Sequence, residues 1–421
     1  MNPRREVVVT GLGVVSPIGI GAEAFWDALE SGVSGVGIRP RFESFDNAHR
    51  IAATIKEDFN PKQFVRPRKA LKIMCAPIQY GCAAAMMAVS HAGLSVDDVD
   101  SNRLGIVFGT ETFFADPDEV ADVFQKCTVD KDYQHERWGE FAMREIQPLW
   151  MLKYLPNMAA SHISIALDAR GPSNSICQGE ASGSLALIEA ADLIQRGVAD
   201  VVIAGGTGSQ MTLTATLYRG TNMLSKRIHE PQQASRPFDR DRDGMVVGEG
   251  AGAIVLESAE YAAARGAKAL ARVVGWSRGY GELDQEKFGD EIDYHLTTAL
   301  ERGNLSADDI GLVSANASGS VNLDAVEAQS IQRVLGETPV VAYKSHFGNI
   351  GPGTSTVEMI GGLLGIENGR IAPMINCDHV AEDCPVRVVT NHDSAPGPIQ
   401  HMIKTSISST GQIAVVAISR T

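Results

Sequence analysis

Gly171-Pro172-Ser173-Asn174-Ser175-Ile176-Cys177-Gln178-Gly179-Glu180-Ala181-Ser182-Gly183-Ser184 is the stretch that decides the fold. A short run able to form a strand meets a turn rich in Gly, Ala and Ser, and the turn opens a helical pattern over Leu185 to Gln195. A strand that passes through such a turn into a helix aims the turn residue at a pocket, with the unpaired amides of the first helical turn close by. The turn residue here is Glu180.

Outward from this turn, β-branched apolar runs recur, each ending in Gly or small residues and followed by a helical pattern. They cover 7–15, 104–110, 200–208 and 252–257, then 271–275, 310–317, 340–344, 402–408 and 412–419. Unbroken apolar strands alternating with helices predict sheets covered on both faces. The last two runs flank 409–411 and predict a hairpin. The order of elements repeats, which suggests an internal duplication with its junction in the Ala-rich stretch 259–268. Two units are expected, 1–258 and 259–421.

Composition narrows the function. The chain has 421 residues, 44% hydrophobic and 21% charged, with 42 Gly. That is enough for two fused cores and for many tight strand-to-helix turns. A formal net charge of −14 leaves no basic excess for nucleic-acid phosphates. The six Cys have no framework spacing and read as reduced, mostly buried thiols of a cytoplasmic protein. Cys377 and Cys384 enclose Asp378 and His379 but lack a paired short Cys spacing, so no metal site is expected. The start of the chain has no apolar stretch long enough for a signal peptide, and no run approaches a membrane span. Gly11-Leu12-Gly13 lacks a third Gly at the dinucleotide offset, and Gly248-Glu249-Gly250-Ala251-Gly252 leads into a strand where a nucleotide fingerprint must open a helix. Both read as turns or close backbone packing.

The elbow at 171–184 resembles that of the β-ketoacyl-acyl carrier protein synthases, the condensing enzymes of fatty acid and polyketide synthesis. The resemblance runs nearly end to end: Val8-Val9-Thr10-Gly11-Leu12-Gly13 with Ser16-Pro17, Ala234 to Asp239, Arg242-Asp243-Gly244, Gly248 to Gly252, Val313 to Ala328, Lys344-Ser345 and Pro373 to Asn376 follow in family order. It implies an α/β thiolase fold, with duplicated βαβαβαββ halves in α-β-α-β-α layers. The condensing family needs a Cys at the elbow and two His in the second half. In register, those positions fall here on Glu180, Asn316 and Asn349, while Lys344 and Glu327 are retained. Cys177, three residues before Glu180, reads as a packed strand thiol. His346, three short of Asn349, reads as structural. The Gly-Phe-Gly-Gly segment of the family is degraded to Ser408-Ser409-Thr410-Gly411.

A thiolate accepts an acyl group from a carrier thioester at comparable energy, whereas a carboxylate could only form a mixed anhydride, far uphill. Asn316 and Asn349 can donate hydrogen bonds but cannot titrate near neutral pH. Condensation is therefore not expected. Glu180 reads first as an anion held at a helix start; the alternative is a decarboxylating site whose Asn amides stabilise an enolate.

The pattern resembles the chain length factors, or ketosynthase β subunits, of type II polyketide and polyene systems. This implies pairing with an active ketosynthase and contact with an acyl carrier protein bearing the substrates, with no further cofactor. The alternatives are a malonyl-carrier decarboxylase and a homodimeric acyl-binding protein. By the same resemblance, Phe113, Phe114, Val120 and Phe124 would floor a product tunnel. Lys62, Arg66, Arg68, Lys69 and Lys72 would face an acidic carrier, though such a run also reads as a solvated helix start.

Overall fold

The computed structural model describes residues 5–39, 50–209, 211–212, 214–215, 220–282, 285–391 and 398–421. Eleven strands form the main sheet path. They are β1 (Val7–Ser16), β2 (Leu104–Gly109), β3 (Ser173–Ile176), β4 (Val201–Ser209), β5 (Glu249–Ser258), β6 (Ala271–Tyr280), β7 (Leu312–Ser314), β8 (Pro339–Val341), β9 (Arg387–Val388), β10 (His401–Ile407) and β11 (Gln412–Arg420). The expected strands are all present; the 310–317 and 340–344 runs are trimmed because their ends turn into the loop before a helix and into a short helix at Lys344–Phe347.

Their spatial order is β9-β8-β7-β10-β11-β6-β1-β5-β4-β2-β3. Numbered from the first strand of each half, both halves run third, second, fourth, fifth, first, with β9 added outside β8. The halves meet where Val7, Val8 and Val9 of β1 pair with Val273, Arg272 and Ala271 of β6. β10 and β11 form the expected antiparallel hairpin.

Helices supply the layers. α1 (Ala76–His91) and α2 (Met158–Leu167) cover the outer face of the first half, α3 (Ser182–Gln195) lies in the middle, and α4 (Gln285–Gly303) and α5 (Val321–Leu335) cover the outer face of the second half. α6 (Thr354–Asn368) lies beside α3 and touches strands of both halves. The result is an α-β-α-β-α stack of the thiolase kind. The central layer is the largest apolar cluster, where Leu187, Ile188 and Ile194 of α3 meet Val357, Ile360 and Leu363 of α6. α6 is buried from Thr354 to Ile366 and carries no polar stripe, whereas α3 leaves Leu185, Glu189, Asp192 and Gln195 partly exposed along one side.

The glycines of β1 are explained by packing. A Cβ on Gly13 would lie 2.0 Å from the Ala84 carbonyl oxygen, and one on Gly11 2.2 Å from that of Ala88. Backbone of α1 lies directly against β1, as the reading of Gly11 and Gly13 as close packing anticipated. Among the described residues no helix is long and apolar enough to cross a membrane.

Candidate functional site

The elbow is built from β3 and α3. Gly179 adopts φ +55°, a left-handed turn open to glycine at little cost. Gln178 N–H donates to the Ser182 hydroxyl at 2.8 Å, and that hydroxyl donates to Gly179 O at 2.7 Å. These bonds fix a short 3-10 turn, Gly179–Ala181, that runs into α3.

Glu180 projects from this turn and is 5% exposed. Two donors come from the second half: Asn349 Nδ2 reaches Glu180 Oε1 at 3.2 Å, and the Ser409 backbone N–H reaches Oε2 at 3.3 Å. A buried carboxylate needs such donors, and a hydrogen bond to a charged group contributes about 1.5–3 kcal/mol net. Glu180 and Asn349, two of the three positions singled out in the sequence, therefore form one cluster with the 408–411 segment.

Asn349 is committed on its other atom as well. Its Oδ1 accepts from Gly351 N–H at 2.8 Å and from the Thr354 hydroxyl at 3.2 Å, just where α6 begins. Asn316 lies deeper. Its backbone N–H and that of Ala317 donate to the two oxygens of Glu327, each at 2.8 Å. Lys344 Nζ donates to the Asn316 carbonyl oxygen and lies 3.5 Å from Asn316 Oδ1. Burial pushes the Glu327 carboxyl up, opposed by the Thr405 hydroxyl, the Asn316 amide and the charges of Lys404 and Lys344.

Lys344 is joined by a partner that sequence reasoning missed. Lys404, 0% exposed, sits on β10 and donates to Glu358 Oε2 at 2.8 Å; Lys344 meets the same carboxylate at 3.1 Å. Lys404 also faces the carbonyl oxygens of Ser314, Ala315 and Thr405 at 3.3, 3.2 and 2.7 Å. Burial holds its ammonium below the usual lysine range, Glu358 pulls it back, and Lys344 adds to the depression. The signal was in the sequence: a lysine inside an apolar strand and a glutamate inside an apolar helix must find each other or another partner.

His346 is structural. Its ring is buried between the carbonyl oxygens of Val33 and Pro373, at 2.9 and 3.0 Å, and burial lowers its proton affinity. Cys177 corrects the reading of a packed strand thiol. It falls just past the end of β3 and is exposed, with its sulfur 3.5 Å from the Thr110 hydroxyl. Of the six cysteines, 82, 127, 377 and 384 are buried.

The residues assigned to a tunnel separate. Phe113 and Phe114 line a cavity of about 770 Å³ with Met74, Pro77, Tyr154 and Met211. Val120 stands at the start of a short helix, Ala121–Cys127. Phe124 on that helix is half-exposed and packs on Tyr133 and Trp138 rather than into the cavity. Lys62, Arg66, Arg68, Lys69 and Lys72 are all exposed; Lys62 lies on a 3-10 turn, Pro61–Gln63, and Arg68, Lys69 and Lys72 on a second, Arg68–Ile73, with Arg66 between them, where a helix start was expected. Pro61 opens the first turn and Pro67 precedes the second, and proline restricts the backbone at both points.

The family model "Beta-ketoacyl synthase, N-terminal domain" matches residues 4–262, and "Beta-ketoacyl synthase, C-terminal domain" matches 278–378. The chain is 32% identical over 395 residues to 3-oxoacyl-[acyl-carrier-protein] synthase 2 of Vibrio cholerae serotype O1, covering 92% of each chain. Among solved structures, the ishigamide ketosynthase/chain length factor aligns with a TM-score of 0.85 at 28% identity, over 99% of this chain and 100% of that one. A type II PKS acyl-carrier protein in complex with its ketosynthase aligns with a TM-score of 0.84 at 26% identity, over the same shares. Matched across both halves, this chain belongs to the β-ketoacyl synthase family.

Proposed function

We propose that this chain is the non-condensing subunit of a ketosynthase pair, a chain length factor that shapes the acyl path of an active partner while acyl carrier protein delivers the substrates. The observation that carries the proposal is the clamp on Glu180. The residue at the nucleophile position is a buried carboxylate, and it uses the Asn349 amide and the Ser409 N–H that would otherwise be free to receive a substrate oxygen. A carboxyl group that already occupies both donors leaves neither for an enolate oxygen, which weighs against the decarboxylase reading. The curated relatives are named as synthases, so the departure lies in these side chains and not in the fold.

Pairing has support of its own. β3 ends the sheet path, and an open strand edge invites a second chain. Ile165 on α2, the helix beside it, is 71% exposed, and Met143 and Met151 on the excursion between β2 and α2 are 86% and 59% exposed. Large apolar side chains in such numbers mark an interaction surface.

Two measurements test the proposal. Incubated alone with acyl- and malonyl-loaded carrier protein, the chain should show no acyl adduct by intact-protein mass spectrometry and release no carbon dioxide above a carrier-only control. Co-expressed with an intact Cys-His-His ketosynthase, it should elute as a complex of equal stoichiometry that makes product. An adduct on the chain, or full activity of the partner without it, overturns the proposal.

A further inference from the structure

α3 begins at the elbow and runs 14 residues, Ser182–Gln195, roughly 21 Å at 1.5 Å per residue. At its far end a separate cleft of about 590 Å³ opens between the two halves. Three arginines from three elements line it: Arg196 just past α3, Arg278 on β6 and Arg302 in the last turn of α4, with Gln195 and Trp276 beside them. Asp192 is the carboxylate on the wall, and it pairs with Arg278 at 3.0 Å.

The other two guanidinium groups are steadied by carbonyl oxygens. Arg196 Nε donates to Asp192 O at 3.2 Å, and Arg302 Nη1 donates to Trp276 O at 2.8 Å. Among the described residues, neither has a carboxylate within ion-pair distance. The cleft thus holds two formal positive charges in excess, on a chain whose net charge is −14. A cation at a helix C-terminus is favourable in itself, by about 0.3–1 kcal/mol, and this accounts for Arg196 and Arg302 one at a time. Arg278 comes from a strand, and its pair with Asp192 holds it against the same space. Each of the two steadied forks has also committed a single donor of its five to these carbonyls.

We propose that this cleft binds a small ligand carrying a diphosphate group or an equivalent pair of phosphoryl groups. Planar guanidinium forks match phosphoryl oxygens in pairs. Three forks from different directions suit two adjacent anionic centres better than a single carboxylate, and the volume exceeds what one small ion fills.

The test is calorimetric titration of the full chain with inorganic pyrophosphate at low ionic strength, beside a parallel titration with ADP. Saturable one-to-one binding that weakens with salt is expected. Tighter binding of ADP assigns the ligand to the nucleotides, and equal or weaker binding assigns it to free diphosphates. Arg196→Ala with Arg302→Ala, both exposed and outside the core, should lower pyrophosphate affinity at least about tenfold with an unchanged circular dichroism spectrum. Asp192→Asn removes the opposing charge and releases Arg278, so affinity should rise severalfold. Absence of saturable binding, an unaffected double variant, or weaker binding by Asp192→Asn overturns the proposal.

Discussion

At Glu180, chemistry and scaffolding are the same question. Gln in its place offers one carbonyl oxygen and one amide, so it can keep one of the two bonds from Asn349 and Ser409 but must set a donor against the other. Glu180→Gln should therefore cost about 1–3 kcal/mol of stability while leaving the product output of the complex within a few-fold. Loss of product from a folded complex would make Glu180 a reacting group. Lys404 makes a sharper case. Glu358 is shared by two buried ammonium groups, and removing Lys404 leaves Lys344 alone to face both Glu358 and Glu327 and takes the donor from the carbonyl oxygens of Ser314, Ala315 and Thr405. Lys404→Met should destabilise the chain by about 3–5 kcal/mol in urea unfolding, and a loss below about 1 kcal/mol would show that the network relaxes freely.

Among the elements, the join from α3 to β4 offers a titration. Asp200 takes two bonds from Arg103, Nε to Oδ2 and Nη2 to Oδ1 at 2.9 Å, and pairs with Arg5 at 2.8 Å. The bonds from Arg103 hold its carboxyl below the usual range, against the opposing effect of burial. A depressed carboxyl contributes stability that is complete above its unfolded value of about 3.9 and is lost as pH falls through the folded value. Asp200→Asn should thus cost about 1 kcal/mol at neutral pH for this partly exposed pair, and the gap to the wild type should close in strong acid. A gap that persists there would assign the loss to packing. How much of this could be read from the sequence follows the physics of each element. The strand runs, the elbow and the close glycines were legible because burial on both faces and tight turns restrict residue choice locally. The exposed position of Cys177 was not, because the point where β3 ends depends on its pairing with β2. The Glu358–Lys404 pair signalled itself only as two charges out of place, since the contact spans β10 and α6 and no local pattern joins them.

For the whole molecule, the open β3 edge and the apolar residues near it carry the prediction of assembly. Ile165→Asp and Met143→Asp together should leave the chain folded but shift it from complex to free subunit in size-exclusion chromatography with light scattering. An intact complex would place the interface elsewhere. Within the complex, Phe113→Ala or Phe114→Ala should enlarge the cavity they line and lengthen the product, because each two-carbon unit otherwise meets about 1–3 kcal/mol of overpacking. An unchanged product distribution from a stable complex would remove both rings from length control. One contact set also ties the two halves together. Asn349 joins Glu180 of the first half to the start of α6 in the second through four polar contacts: Glu180, the Met245 sulfur, Gly351 and Thr354. An imidazole at 349 could not serve all four, and a thiol at 180 would leave the Ser409 N–H without its acceptor. Glu180 and Asn349 thereby fasten the two halves to each other, so Glu180→Cys and Asn349→His introduced one at a time should each lower the thermal midpoint of the chain.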